Sequence, residues 1–208
     1  MKKMRNIKVV AFDCDGVMFD TINTNRAYYN HILENFGRPE MTLEELEYVH
    51  IHTADKSIAR LFDDTESFKA AINYCKQLSY IPFLKYMDIE PHLKILLEKL
   101  RKNYKTAIAT NRTTTMDAVL SKNNLEDLFD LVVTALDVEH PKPYPDSLIS
   151  ILNYFNLKPE NLIYIGDSTL DEQAAKAAGV FFVAYDNTSI PANFHIKSLK
   201  DMESIIEI

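Results

Sequence analysis

Short apolar runs that alternate with segments of helical periodicity constrain the fold of this chain more than any other feature. The runs cover residues 9–12, 106–109, 131–133, 162–165 and 181–184. In each of the three intervals between the last four runs, apolar residues recur with the spacing of one helix face. The first interval has Met116, Val119 and Leu120, the second has Leu148, Ile151, Leu152 and Phe155, and the third has Leu170, Ala174, Ala175 and Ala178. Strands that alternate with helices of this length form βαβ units. The pattern therefore predicts an α/β fold with a doubly wound (Rossmann-like) parallel sheet and helices on both faces.

The interval from residue 21 to residue 86 breaks this rhythm, because it contains helical patterns and no convincing strand. Thr42 and Glu45 have the spacing of a capping box at the start of one of these helices. Pro82 suits a return hinge, and Pro91 suits the first turn of the helix that leads back to the sheet. We expect a core domain of residues 1–20 and 87–208 and an inserted all-helical cap domain of residues 21–86.

Charge and cysteine content exclude several classes of protein. The 208 residues include 30 acidic and 23 basic side chains, with a net charge of −7 and a pI near 5.4. Such a surface repels a phosphate backbone, so we expect no nucleic-acid partner. Cys14 and Cys75 are isolated, which offers neither a disulfide framework nor a thiolate zinc site. No stretch approaches the roughly 20 apolar residues of a membrane span, and Asp13 interrupts the only early apolar run, so we expect a cytoplasmic protein without a membrane partner.

Paired carboxylates follow two of the predicted strands. Asp13 and Asp15 leave the first strand two positions apart, and Asp167 and Asp171 follow the strand at 162–165. If these two strands are neighbours, all four carboxylates converge on one crevice. Two like charges about 4 Å apart repel by roughly 4 kcal/mol at an effective dielectric near 20. Protonation could relieve this repulsion, but Mg²⁺ does so while preserving the charges, and we therefore predict a magnesium site.

Two other residues complement these carboxylates. Thr110 follows the strand at 106–109, where it presents a hydroxyl and backbone amides, and Lys142 lies in a loop stiffened by three prolines. A phosphoryl group in transfer is stabilised chiefly by position and by electrostatics. Carboxylates with a cation, a hydroxyl and a fixed lysine therefore indicate phosphoryl-transfer chemistry.

In this arrangement the chain resembles the haloacid dehalogenase superfamily of phosphohydrolases. The motifs that carry the resemblance are Asp13-Cys14-Asp15-Gly16-Val17, Thr110, Lys142 in its proline-rich loop, and Gly166-Asp167-Ser168 with Asp171. The helical insert after the first motif is similar to the cap of the phosphoglycolate phosphatase and β-phosphoglucomutase branch. The resemblance implies a phosphoric monoester hydrolase that uses Mg²⁺ and acts on a small phosphate ester as a monomer or homodimer.

The resemblance also implies a role for each motif residue. Asp13 would form an aspartyl phosphate, and Asp15 would protonate the leaving oxygen and then deprotonate water. Thr110 and the Asn111 amide would hold phosphoryl oxygens, and Lys142 would offset charge on Asp13. Asp13, the backbone carbonyl of Asp15 and Asp167 would bind Mg²⁺, with Asp171 supporting them. Asp15 favours phosphate-ester chemistry, because halide-releasing members need no acid for the leaving group.

Several readings remain open at this stage. The substrate could contact Arg112, beside Thr110, and His52 or Lys56 of the cap, although each also suits an ordinary surface position. A phosphomutase of the β-phosphoglucomutase type uses the same motif residues as a phosphatase. A receiver-like signalling domain also combines an acidic cluster with Thr and Lys, but lacks an insert of this size. A degenerate binding protein on the same scaffold is the remaining alternative.

Overall fold

The fold is that of a computed structural model, which describes residues 3–208 apart from the side chain of Ile51. Its chain divides into two compact units. We call Asp20–Asp88 the helical unit, and the described residues before and after it the sheet unit.

The strands and helices follow one another along the chain as the periodicity predicts. The strands are β1 (Val9–Phe12), β2 (Phe19–Asp20), β3 (Asp88–Ile89), β4 (Lys105–Ala109), β5 (Leu131–Val133), β6 (Leu162–Gly166), β7 (Phe181–Tyr185) and β8 (Phe194–Ile196). The α-helices are α1 (Ile22–Asn35), α2 (Leu43–Ile51), α3 (Ala54–Leu61), α4 (Thr65–Cys75), α5 (Leu93–Leu100), α6 (Met116–Asn123), α7 (Asp146–Phe155) and α8 (Thr169–Ala178). Short 3₁₀ helices lie at Ile81–Tyr86, Glu126–Leu128, Pro159–Asn161 and Leu199–Ser204.

The sheet unit is built on a six-stranded sheet in the order β5-β4-β1-β6-β7-β8, in which every neighbouring pair is parallel. Every residue of the central strands β1 and β6 is buried, because a parallel sheet is covered on both faces. Helices α7 and α8 pack together on one face, over Ala11, Ala107 and Tyr164. Phe12 and Ile108 alternate with those residues and are also fully buried. The predicted α/β fold with a doubly wound sheet is confirmed.

The register of β1 determines which residues meet at the carboxyl edge of the sheet. Phe12 is paired with Ile108 of β4 on one side and with Ile165 of β6 on the other. The strands β4 and β6 therefore end one residue beyond β1. The residues that follow them, Asp13, Thr110 and Asp167, emerge at one edge, where ligands bind in open α/β sheets.

The helical unit contains α1 to α4 and the 3₁₀ helix Ile81–Tyr86. Its hydrophobic core includes Ile32, Leu46 and Ile58, and the capping box of Thr42 and Glu45 forms at the start of α2 as predicted. The all-helical character of the insert is confirmed. The predicted boundaries at residues 21 and 86 stay a prediction beside the contact-based division at Asp20 and Asp88. The two connections, β2 and β3, pair with each other as a separate two-stranded sheet.

Four local predictions were wrong or incomplete. Helix α5 begins at Leu93, and Pro91 lies in the turn before it. In that turn the Glu90 carboxylate accepts from the His92 N–H and the Glu90 carbonyl accepts from the Leu93 N–H. Pro82 lies in the first turn of a 3₁₀ helix rather than at a hinge. Leu170 is 39% exposed and outside the apolar face of α8, where Asp171 is buried instead. The edge strand β8 was not predicted.

Candidate active site

Asp13 occupies the first position after the central strand. Its backbone N–H donates to the carbonyl of Ile165, at 2.8 Å, and so continues the pairing of β1 with β6. The side chain is 9% exposed, and its Oδ1 lies 2.7 Å from Lys142 Nζ. Oδ1 receives no well-aligned hydrogen bond, even from this ammonium group. Burial, opposed by Lys142 and reinforced by the charges of Asp171 and Asp167, raises the pKa of Asp13.

Lys142 is held by both its backbone and its ammonium group. The side-chain amide of Asn111 donates to the carbonyl of Lys142 and accepts from its N–H, each at 2.9 Å. The buried Nζ donates to Asp171 Oδ1 at 2.6 Å and to the Tyr164 hydroxyl at 3.0 Å. Burial alone would lower the pKa of Lys142, but the charges of Asp13 and Asp171 outweigh it and raise that pKa. Lys142 is therefore a fixed positive charge.

Asp171 is buried because it belongs to the cap of helix α8. The Ser168 hydroxyl accepts from the N–H of Asp171, while Asp171 Oδ2 accepts from the N–H and hydroxyl of Ser168. Its Oδ1 accepts from Lys142 and lies 2.7 Å from the Tyr164 hydroxyl. Burial opposes ionisation, but Lys142 and these hydrogen bonds lower the pKa of Asp171. Both oxygens of Asp171 are thus occupied by partners within the protein.

Asp167 follows β6 directly, and its main chain is held by the side-chain amide of Asn187, which donates to the Asp167 carbonyl at 2.8 Å. Burial and the charge of Asp171, partly offset by Lys142, raise the pKa of Asp167 to about 7. Among the described residues, the ion pairs of the site join Lys142 to Asp13 and to Asp171, and none joins a cation to Asp167. A positive charge placed beside Asp167 would lower this pKa and stabilise the carboxylate.

Asp13, Asp167 and Asp171, which we call the carboxylate cluster, each present an oxygen within 4.8 Å of the others. Two glycines permit this approach. A Cβ on Gly16 would lie 2.1 Å from Asp167 Oδ2, and a Cβ on Gly166 would lie 2.4 Å from Asp171 Cβ. Gly16 also has a φ of +84°, which side chains disfavour. Three of the four carboxylates predicted to converge from the ends of β1 and β6 are therefore together, and Asp15 is not among them.

Asp15 occupies a different environment from Asp13. Arg112 Nε donates to Asp15 Oδ2 at 3.1 Å, and Arg112 Nη2 contacts Oδ1. Arg112 Nη1 donates to the Thr115 hydroxyl at 2.9 Å, which fixes the guanidinium. The Asp15 side chain is therefore outside the carboxylate cluster. Its predicted part in metal binding, through the backbone carbonyl, stays a prediction.

Thr110 and Asn111 lie where β4 ends. The Thr110 N–H donates to the carbonyl of Val133 at 3.0 Å, and its buried hydroxyl accepts from the Arg112 N–H at 3.1 Å. Asn111 was predicted to bind substrate through its backbone amide; its side chain serves the backbone of Lys142. These contacts tie the β4 loop to the Lys142 loop, and both substrate-binding roles stay predictions.

His52 and Lys56 belong to the helical unit. The His52 ring stacks on Tyr48 with centroids 3.9 Å apart, and its Nδ1 lies 2.8 Å from the Tyr48 carbonyl. Lys56 is exposed on α3. Their predicted contacts with substrate stay predictions.

Tyr164 and Asn187 were not predicted as parts of the site, and Ser168 was named in the fourth motif without a role. The role of Ser168 could have been found, because Ser168 and Asp171 have the spacing of an N-cap pair. Tyr164 has a detectable signal in retrospect, since it is a phenol in the middle of an otherwise apolar strand. Asn187 lies in a loop after β7 and carries no such signal.

Together, a parallel α/β sheet with an acidic cluster and a buried lysine at its carboxyl edge is typical of proteins that carry out phosphoryl transfer. The sequence profile of the haloacid dehalogenase-like hydrolases matches residues 10–185. The chain belongs to this family. The resemblance identified from the motifs is therefore confirmed.

Known relatives agree with this assignment. A phosphoglycolate phosphatase of Nitrosospira multiformis is 30% identical over 192 residues, covering 86% of this chain and 84% of the relative. A phosphorylated carbohydrates phosphatase of Thermotoga maritima is 30% identical and covers 84% and 82% of the two chains. The crystal structure of a haloacid dehalogenase-superfamily hydrolase of subfamily IA from Geobacter sulfurreducens is 32% identical, with a TM-score of 0.88 and 97% coverage of both chains. These matches confirm the prediction of an enzyme, a phosphatase of this family.

Within the described part of the chain, none of the helices combines the length and the apolar character that a membrane crossing requires.

Proposed function

We propose that the protein is a Mg²⁺-dependent phosphatase that hydrolyses a small phosphorylated metabolite through an aspartyl phosphate on Asp13. The observation that carries the proposal is the charge of the site. Three carboxylates that approach within 4.8 Å share one buried ammonium group, that of Lys142. With all four groups ionised, the cluster has an excess of two negative charges. One divalent cation balances this excess.

The residues present fit a magnesium ion. Mg²⁺ prefers hard oxygen ligands and commonly binds one or two carboxylates together with water and phosphate oxygens. Asp13 and Asp167 are the candidate carboxylate ligands, since Asp13 Oδ1 lacks an aligned donor and Asp167 has a raised pKa. Asp171 is committed to Lys142 and Ser168 and would contribute through its charge. A bound ion would supply a template and charge stabilisation for the phosphoryl group.

The protein residues would then divide the reaction into two displacements. An Asp13 carboxylate oxygen attacks phosphorus, the bond from phosphorus to the ester oxygen breaks, and Asp15 gives that oxygen a proton. In the second step Asp15 takes a proton from water as the water oxygen attacks phosphorus, which releases phosphate and regenerates Asp13. Lys142 stabilises the charge that develops beside Asp13. Asp15 must exchange its contact with Arg112 for the ester oxygen in order to act.

Turnover of an aryl phosphate tests the chemistry. We expect sustained hydrolysis with Mg²⁺, loss of hydrolysis with EDTA, and loss in Asp13→Asn, which removes the attacking oxyanion. In Asp15→Asn the first displacement survives on an activated aryl ester, because its leaving group needs no proton. The labelled enzyme should therefore accumulate with ³²P-labelled substrate in Asp15→Asn, and no label should appear in Asp13→Asn.

Other outcomes would contradict the proposal. Hydrolysis that survives Asp13→Asn would place the nucleophile elsewhere. A single labelling event without turnover in the native protein would favour a receiver-like signalling domain. Inactivity towards a broad panel of phosphate esters would favour a binding protein.

The substrate class rests on the relatives. Those named above are a phosphoglycolate phosphatase and a phosphorylated carbohydrates phosphatase, which supports a small phosphorylated acid or sugar as substrate. A panel that includes phosphoglycolate and sugar phosphates, scored by kcat/KM, tests this choice. Equal rates for every ester in the panel would contradict a preference for either class.

A further inference from the structure

One polar group in the interior of the sheet unit has no role in the chemistry above. The Tyr164 hydroxyl lies on a residue with no exposed surface, 3.0 Å from Lys142 Nζ, 2.7 Å from Asp171 Oδ1 and 3.0 Å from the carbonyl of Ala109. These partners come from the Lys142 loop, the start of α8 and the end of β4. A single hydroxyl thus joins three segments that carry separate motifs.

The sequence makes room for this ring by placing small side chains around it. Tyr164 pairs with Ala11 of β1, and Ala11 pairs with Ala107 of β4. All three residues, together with Ala109, belong to the hydrophobic cluster on the face covered by α7 and α8. Because β1 separates β6 from β4, a ring that starts on β6 reaches the Ala109 carbonyl only by passing over β1. The alanines of β1 and β4 leave that space free.

The hydrogen bonds at this hydroxyl have a restricted set of directions. A phenol has one proton to donate, and an ammonium group has no lone pair with which to accept it. Tyr164 therefore accepts from Lys142 and donates to Asp171 or to the Ala109 carbonyl. Lys142 directs one proton to Tyr164 and another to Asp171. Its third proton remains on a nitrogen that lies 2.7 Å from Asp13 Oδ1. The phenol therefore influences where the charge beside Asp13 is placed.

We propose that Tyr164 is a positioning residue, whose hydroxyl fixes the Lys142 ammonium group between Asp13 and Asp171. Packing alone does not account for the hydroxyl, because phenylalanine would fill the same space without a buried polar group to satisfy. The consequence for catalysis rests on the phosphatase function proposed above. The consequence for the Lys142 ammonium group does not.

The variant Tyr164→Phe removes the hydroxyl and keeps the ring. Loss of a hydrogen bond to a charged group corresponds to a change in rate of about 10- to 100-fold. We expect kcat to fall by that factor with Mg²⁺ and an aryl phosphate, while KM changes less than about twofold. Tyr104→Phe is the matched control, since it removes another hydroxyl of the sheet unit, one that donates to the carbonyl of Glu207. This control should keep the native kcat and KM.

A measurement on the ammonium group separates positioning from a loss of folding. In ¹H–¹⁵N spectra of lysine ammonium groups, the buried Lys142 group should give a slowly exchanging signal in the native protein, assigned by its absence in Lys142→Arg. Its proton exchange should accelerate about tenfold in Tyr164→Phe and stay unchanged in Tyr104→Phe.

Three results would overturn the proposal: no protected Lys142 signal in the native protein, unchanged exchange in Tyr164→Phe, or a loss of kcat that only follows a loss of folded protein. If the native protein hydrolyses no phosphate ester, the proposed function fails. The exchange measurement then still decides the role of Tyr164.

Discussion

At the scale of single residues, two carboxylates that are neighbours in sequence have different partners. Asp13 lies against Lys142 and belongs to the carboxylate cluster, whereas Asp15 pairs with Arg112. In a reaction that needs one carboxylate as nucleophile and another as proton carrier, separate cations let each carboxylate be positioned independently. Asp167 and the two glycines beside the cluster lie outside these two pairs.

The raised pKa of Asp167 predicts that Mg²⁺ binding depends on pH. Below about pH 7 Asp167 holds a proton that the ion must displace. The apparent dissociation constant for Mg²⁺ should therefore rise about tenfold per pH unit below 7, with proton release at pH 6. Isothermal titration calorimetry in two buffers of different ionisation enthalpy measures the released protons. Asp167→Asn should lose most of this release, and a native protein that releases none at pH 6 would contradict the prediction.

The same pKa predicts how the metal-free protein responds to pH. Because the folded value lies above the ordinary 3.8, the folded state binds more protons than the unfolded state between about pH 4 and pH 7. The contribution of Asp167 to the free energy of unfolding therefore decreases as pH rises through that window. Urea unfolding in EDTA measures the free energy of unfolding of the native protein and of Asp167→Asn. The native value minus the variant value should decrease as pH rises from 4 to 7. A difference between the two proteins that is constant with pH would contradict it.

Gly16→Ala should disturb the metal site more than it disturbs the backbone. The added Cβ would lie 2.1 Å from Asp167 Oδ2, so Asp167 must move. Gly37→Ala is a matched control, because Gly37 has a similar φ of +65° and no atom within 4 Å of the new Cβ. Each variant should lose about 1 kcal/mol of stability from backbone strain. Only Gly16→Ala should also lose more than tenfold in Mg²⁺ affinity, measured by calorimetry; equal affinities in the two variants would exclude the clash.

At the scale of elements, helix α8 connects local capping to the site. Its capping box has Ser168 as N-cap and Asp171 as the third helical residue, and the same Asp171 accepts from Lys142. The capping box that begins α8 therefore also fixes the position of one carboxylate of the carboxylate cluster.

Ser168→Ala and Thr42→Ala remove equivalent hydroxyls from two capping boxes, on α8 and α2. Each should lower the free energy of unfolding by about 1 kcal/mol, the usual cost of losing an N-cap. Only Ser168→Ala removes one of the two hydrogen bonds to Asp171 Oδ2, so it alone should reduce kcat, by roughly tenfold. Chemical denaturation and steady-state kinetics test the two effects separately; a matching loss of kcat in Thr42→Ala would contradict the argument.

The elements differ in how well the sequence predicts them. Strands β1, β4, β5, β6 and β7 were predicted from short apolar runs, which are typical of parallel strands packed between helices. Strand β8 was missed because it is a three-residue edge strand, Phe194–Ile196, with an exposed histidine at its centre. The carboxylates could be predicted from their positions after strands. The pairing of Arg112 with Asp15 and the crossing of Tyr164 depend on loop geometry and strand order, which no local pattern encodes.

At the scale of the whole molecule, each unit has a hydrophobic core of its own. Ile32 is fully buried among the helices of the helical unit, and Ile151 is fully buried in the cluster under α7 and α8. Because neither cluster includes residues of the other, each unit has an independent source of stability.

Cavity-forming variants should therefore act on one unit at a time. Ile32→Ala and Ile151→Ala should each cost about 2 to 5 kcal/mol in the unit that carries the change. In native-state hydrogen exchange, Ile32→Ala should accelerate exchange of amides within Asp20–Asp88 and spare β1 and β6. Ile151→Ala should do the reverse. Equal acceleration in both units by either variant would show that they unfold as one.

The pairing of β2 with β3 brings the entry and exit of the helical unit side by side. An insert whose two ends are already joined in space can be lengthened, shortened or replaced with little effect on the strands outside that junction. A change in the length of the inserted helices then leaves the closure of this junction in place. The four residues of a short hydrogen-bonded ladder thus hold together the two points at which the chain enters and leaves the insert.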